Sequence, residues 1–211
     1  MAAVVKIVPG RTIFFLCDMQ TRFRIAIHGF DHLISTGRKM LKAAKILDVP
    51  VIITEQNPKA LGPTVPELSP AEFQLGPLHL GTFDKTLFSM ATPDVLSLLN
   101  KHNTKSVVLF GIESHVCVLQ STLDLLSAGY DVHVLADGVS SCNQEEVPFA
   151  LALMRQAGAQ ITTSESLLFQ LQKDSSSPNF KAFSNTIKEE KDTTRTVLEG
   201  LLPVRSVRSV L

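Results

Sequence analysis

Apolar residues follow two rhythms along this chain. Unbroken runs rich in Val, Ile and Phe recur at Thr12–Cys17, Val51–Thr54, Val107–Phe110, Val132–Leu135 and Gln160–Thr162, with a weaker one near Leu78–Thr82. Runs without polar alternation suit strands covered on both faces, as in a parallel sheet. Between them, apolar positions return every three or four residues. His32–Leu47 sets Leu33, Gly37, Met40, Leu41, Ala44 and Leu47 along one stripe, and Asp94–His102, Cys117–Ala128 and Glu145–Ala157 repeat the pattern. Thr162 to Glu165 reads as a capping box opening a helix over Ser166–Lys173. Gly129 and Gly158 stand where left-handed caps end a helix before the next strand. Strand–helix alternation predicts βαβ units and a doubly wound α/β sheet.

Two stretches break the alternation. Glu55–Pro93 is long and carries Pro58, Pro63, Pro66, Pro70 and Pro77, and a connection of that length in a compact domain is usually functional. From about Ser175 the chain turns polar. A short helix is expected over Phe180–Lys188, then a frayed or partner-packed tail in which Arg205 and Arg208 form a solvated face. The expected organisation is one domain over residues 1–175 with a C-terminal extension over 176–211, partly helical or flexible and suited to oligomer packing.

Composition narrows the partners. The chain has 211 residues, enough for one α/β domain with its own core, and 20 basic residues balance 20 acidic ones. Net neutrality gives no electrostatic basis for binding nucleic acid or a charged membrane, and no apolar run reaches a bilayer span. An RNA-cleaving role would need a basic stripe with interleaved aromatics, and neither is present. The N-terminal MAAVVKIVPGRTIFF runs straight into the first strand without a cleavage-site pattern, and the final Ser-Val-Leu lacks the basic residue of a peroxisomal address. Cys17, Cys117 and Cys142 are an odd set without paired spacing, which points to free thiols in a reducing compartment: cytoplasm first, with nucleus or mitochondrion not excluded. Cys17 reads as a buried strand residue, and Cys142 as incidental in a polar loop.

Asp18, Lys85 and Cys117 carry the candidate chemistry. Asp18 ends TIFFLCD, Lys85 lies in the loop GTFDKTLFSM, and Cys117 is placed in the first turn of a helix by GIESHVCV. Ligands of open α/β sheets bind at the carboxyl ends of the strands. A thiol at a helix N-terminus meets unpaired N–H groups and the positive end of the dipole, which favour the thiolate. An ammonium nearby would add to this, and a carboxylate could take the thiol proton. Each residue also has a plain structural reading: packing for Cys117, a strand-end cap for Asp18, a solvated loop charge for Lys85.

The ordered set LCDMQ, K-T-x-F-S and G-I-E-x-x-x-C-V-x-x-T resembles the isochorismatase-like cysteine hydrolases across residues 11–173. TEQNPKALGPTVPEL and TTSESLLFQL resemble the eukaryotic isochorismatase domain-containing proteins, the protein 2 subgroup in particular. The resemblance implies a three-layer α/β/α sandwich with a six-stranded sheet in the order 3-2-1-4-5-6. It implies a Cys-Asp-Lys triad of Cys117, Asp18 and Lys85, and a cis peptide between Ile112 and Glu113. The N–H groups of Glu113 and Cys117 would form an oxyanion hole, and no cofactor is expected. Gln20, Phe23, Glu55, Gln56, Phe88 and His115 are candidate pocket residues, with core packing the equal alternative for the two Phe residues and a solvent-facing or capping role for His115. Metal-binding nicotinamidases of this superfamily carry Asp-x-His after the second strand, where this chain has Thr54, Glu55 and Gln56; none of His28, His32, His79, His102, His115 and His133 completes a site there, so no metal is expected. Relatives that cleave the vinyl ether of isochorismate lack the cysteine, so Cys117 points to acyl chemistry on a small amide-like substrate. The alternative is a protein-binding or regulatory module without turnover. A homo-oligomer, most simply a dimer, is also implied.

Overall fold

The computed structural model describes residues 4–202. Six parallel strands form one sheet: β1 (Thr12–Cys17), β2 (Val51–Gln56), β3 (His79–Lys85), β4 (Ser106–Ile112), β5 (Asp131–Ser140) and β6 (Gln160–Thr162). Their order is β3-β2-β1-β4-β5-β6, the doubly wound arrangement, with the direction of winding reversing between β1 and β4. Every residue of β1 and β4 is buried, as their unbroken apolar runs require of strands covered twice.

Alternate residues of β1 feed two cores. Phe14 and Leu16 pack with Leu33, Met40 and Leu41 of helix α1 (Phe30–Leu47), with Leu167 and Leu168 of α6 (Ser164–Gln172), and with Phe183 of α7 (Phe180–Glu189). Ile13, Phe15 and Cys17 face the other way, toward Val95 and Leu99 of α3 (Pro93–Lys101), Leu125 of α4 (Leu119–Ser127), and Ala150 and Met154 of α5 (Glu146–Ala157). The result is a three-layer α/β/α sandwich. Burying each such large side chain contributes about 1.5–3 kcal/mol.

Several boundaries differ from the sequence expectation. β3 runs to Lys85, so that residue ends a strand and does not lie in a loop. It is an edge strand with partly exposed residues, and its broken hydrophobicity hid its length. The rest of the Pro-rich connection is short turns and one helical turn, α2 (Pro58–Leu61). The helical cap falls at Thr163, not Thr162: its hydroxyl accepts from Ser166 N–H at 3.4 Å, and Glu165 sits one position too early to complete the box. Asp137 takes over, accepting from Ser164 N–H at 2.7 Å.

Beyond α7 the expected frayed or partner-packed segment is a further helix, α8 (Lys191–Leu201), which lies against α1. Lys39 Nζ donates to Thr194 Oγ1 at 2.9 Å and Lys42 Nζ to Glu190 Oε1 at 2.5 Å. Arg205 and Arg208 lie outside the described residues. Among the described residues no helix is long and apolar enough to cross a membrane.

Candidate active site

The site is built where β1, β2 and β3 end. Asp18 follows β1 with a left-handed backbone, φ 51°. Its N–H donates to Thr54 O at 3.1 Å, and the Thr54 hydroxyl donates to Asp18 Oδ1 at 2.8 Å. Lys85 lies two strands away. Two strand spacings amount to about 10 Å, which the long Lys stem and the short Asp side chain span across β2. The ammonium reaches Asp18 Oδ2 at 2.7 Å, with both side chains 1% exposed. It also donates toward Gln56 Oε1 at 2.7 Å, Phe88 O at 2.9 Å and Leu87 O at 3.2 Å. Burial pulls the Lys85 pKa down, but negative charge on Cys17, Asp18 and Cys117 together with the Asp18 hydrogen bond outweighs it, and the net direction is up. Because Cys17 keeps its proton through neutral pH, Asp18 is the partner that matters there.

Cys117 lies in a π-helical turn, Ser114–Val118, that leads into α4, so it precedes the regular helix instead of sitting in its first turn. Val116 N–H and Val118 N–H both donate to Glu113 O at 3.1 Å, closing the turn. Ser121 Oγ donates to Cys117 O at 2.6 Å and accepts from Met90 N–H at 2.8 Å, which ties the turn to the loop after β3. Cys117 is the most exposed of the three candidates at 6%. The chain thus brings Asp18 and Lys85 into contact, and Cys117 joins the buried cluster of Cys17, the residue before Asp18. The peptide between Ile112 and Glu113 is cis.

The other candidate residues divide into supports and surface. Gln20 is fully buried and is a brace: it accepts from Gln56 N–H at 2.7 Å and donates to Gln56 O at 3.0 Å and Gly62 O at 2.6 Å. Glu55 turns away to accept from the N–H and hydroxyl of Thr64, at 2.6 and 2.7 Å. Gln56 clamps Lys85 and donates to Thr86 O at 3.0 Å. Phe23 packs half-buried against the α1 side of the core. Phe88 and Leu87 are 50% and 60% exposed beside the carbonyls that hold Lys85. His115 Nδ1 lies 2.9 Å from Ser141 Oγ, which also meets the Ser114 hydroxyl.

Sequence reasoning missed Thr54, Leu87 and Ser121, whose parts are played through contacts remote in the chain. Among the described residues, no group of three or more His, Cys, Asp or Glu side chains is placed to hold a metal ion. Two clefts of about 300 and 950 Å³ lie elsewhere, one against α6 and α8 and the other between α5 and the end of α8, and none of Asp18, Lys85 and Cys117 lines either.

The chain as a whole is similar to known proteins. The family model described as Isochorismatase domain matches residues 12–166. Isochorismatase domain-containing protein 2 of Xenopus laevis is 49% identical over 185 residues, covering 87% of each chain. Isochorismatase domain-containing protein 2A of Mus musculus is 45% identical over 188 residues, covering 89% of this chain and 88% of that one. Among solved structures, one described as MAR1 ribonuclease from Caenorhabditis elegans superposes with a TM-score of 0.80 at 44% identity, covering 87% of this chain and 93% of the other. With a family match over most of its length and relatives near half identical, this chain belongs to the isochorismatase-like hydrolase family.

Proposed function

We propose that this chain is a cofactor-independent hydrolase of a small amide or amide-like substrate. Cys117 attacks the carbonyl carbon as Asp18 receives the thiol proton; the carbon–nitrogen bond breaks, the amine leaves with that proton, and a thioester remains. Asp18 then takes a proton from water, which attacks the thioester and returns the thiol. Lys85 fixes the acid and faces the thiolate with positive charge. The N–H groups of Glu113 and Cys117 receive the oxyanion. The observation that carries this reading is the Asp18–Lys85 pair, dry and braced from β2 by Thr54 and Gln56, with Cys117 buried in the same core layer as Cys17, the residue before Asp18.

The test is the iodoacetamide labelling rate of Cys117 against pH, read by peptide mass spectrometry for wild type, Asp18→Asn and Lys85→Ala, followed by a screen of small amides. Fast labelling that slows in both variants, with amide turnover that vanishes in Cys117→Ala, is the expected result. Equally slow labelling in all three proteins overturns it and leaves the regulatory module as the better reading.

A further inference from the structure

Cys17 occupies a position that the hydrolytic scheme does not use. It is the last residue of β1, immediately before Asp18, paired with Thr54 on one side and Gly111 on the other. Its side chain points with Ile13 and Phe15 into the core layer beneath α3, α4 and α5, and Cys117 enters the same cluster from the turn after β4. The Cys117 side chain is one of the groups that raise the Cys17 pKa, which sets the two thiols side by side within this cluster. Gly111 makes this approach possible: a Cβ there would stand 2.1 Å from Cys17 O, so only glycine lets β4 run this close before turning toward Cys117.

We infer that Cys17 is the resolving thiol of an oxidation site at Cys117, so that attack by a peroxide ends in a Cys17–Cys117 disulfide and not in irreversible loss of the nucleophile. In the first step the Cys117 sulfur attacks one peroxide oxygen; the O–O bond breaks, an S–O bond forms, and water leaves, giving the sulfenic acid. In the second, the Cys17 sulfur attacks Cys117 Sγ; an S–S bond forms, the S–O bond breaks, and the departing hydroxide carries off the Cys17 proton as water. Two thiols supply the two electrons that reduce the peroxide.

The environments assign the order of events. Cys17 is 0% exposed against 6% for Cys117, so peroxide meets Cys117 first. Burial, the Cys117 side chain and the Asp18 charge all push the Cys17 pKa up, which keeps that thiol protonated until a partner sulfur is activated beside it. Cys142 is not a competing partner: it is exposed, lies outside this cluster, and its thiol is pushed up by its hydrogen bond to Glu113.

The experiment treats the whole chain with hydrogen peroxide, then alkylates under denaturing, non-reducing conditions and maps the peptides. The free-thiol titre is expected to fall from three to one, with a peptide pair joining Cys17 to Cys117 and full recovery of Cys117 alkylation after dithiothreitol. Cys17→Ala is expected to give no such pair and to drive Cys117 to sulfinic acid that dithiothreitol does not rescue. The inference is overturned if the wild type carries Cys117 to sulfinic acid while Cys17 remains alkylatable, if the pair formed involves Cys142, or if Cys117 resists peroxide altogether. The peptide map of the wild type decides the matter even if the variant fails to fold.

Discussion

Lys85 and Asp18 form an ion pair, Nζ to Oδ2 at 2.7 Å, with both side chains 1% exposed, whereas every other ion pair among the described residues has one partner at least 35% exposed. Exposed pairs contribute about 0–1 kcal/mol. Removing one member of a buried pair strands a charge and costs about 3–5 kcal/mol. Lys85→Ala is therefore expected to lower the unfolding free energy by about that much in urea titration, and Asp18→Asn with Lys85→Met to lose less than the sum of the single changes. A loss below about 1 kcal/mol for Lys85→Ala would mean that water already reaches the pair.

Gln20 is expected to behave as a strut. Its side chain makes three hydrogen bonds to the backbone of residues 36 and 42 positions away, at zero exposure. Gln20→Ala leaves Gln56 N–H without its side-chain acceptor, for an expected loss of about 2–3 kcal/mol. Limited proteolysis should then cut the 57–64 segment faster than in the wild type. Unchanged stability with altered substrate preference would return Gln20 to the pocket wall.

His133 gives the molecule an acid-side weakness. Burial lowers its pKa, opposed in part by Asp131, and Nε2 has no hydrogen-bond partner. The unfolded chain binds the proton at a pKa of about 6.5 while the folded chain resists it. Stability is then full above that value and falls as pH drops below it, by at most about 1.4 kcal/mol per pH unit for this one group, levelling below the folded pKa. His79, lowered by burial in the same way, adds to the slope. His133→Leu should flatten the stability profile between neutral pH and pH 5; an unchanged profile would assign the slope to other groups.

Gly111→Ala should be among the most damaging changes available. The position has φ +121°, and the new Cβ would meet three Cys17 backbone atoms within 3 Å. Backbone at the centre of a sheet cannot yield as a side-chain tip can, so a loss of at least about 3 kcal/mol, or no soluble protein, is expected. Soluble expression at wild-type melting temperature would show that β1 and β4 can part at this point.

The sheet was legible because its central strands are apolar on both faces, and Asp18 and Cys117 stood out as candidates because ligands of such a sheet gather at its strand ends. Lys85 was singled out too, but in a loop and not at a strand end, since β3 is half-exposed and broken in hydrophobicity. The parts of Gln20 and Glu55 could not be read: each is defined by backbone partners that only folding brings near. Helix α8 was missed because KDTTRTVLEGL carries few apolar residues, and it docks in part through Lys39 to Thr194. Cys17 was rightly placed in the core, but its neighbour there lies 100 residues downstream.

Strand β2 donates no reacting group, yet it stands between the two strands that carry the acid and the ammonium, and it grips both through Thr54 and Gln56. Its twist and register therefore calibrate the reach of Lys85. A relative that replaced this lysine with a shorter amine, or shifted β2 by one residue, would open a gap at the carboxylate even with Cys117 untouched. Variation in how well such relatives turn over a substrate should accordingly track changes in the silent middle strand as closely as changes around the sulfur.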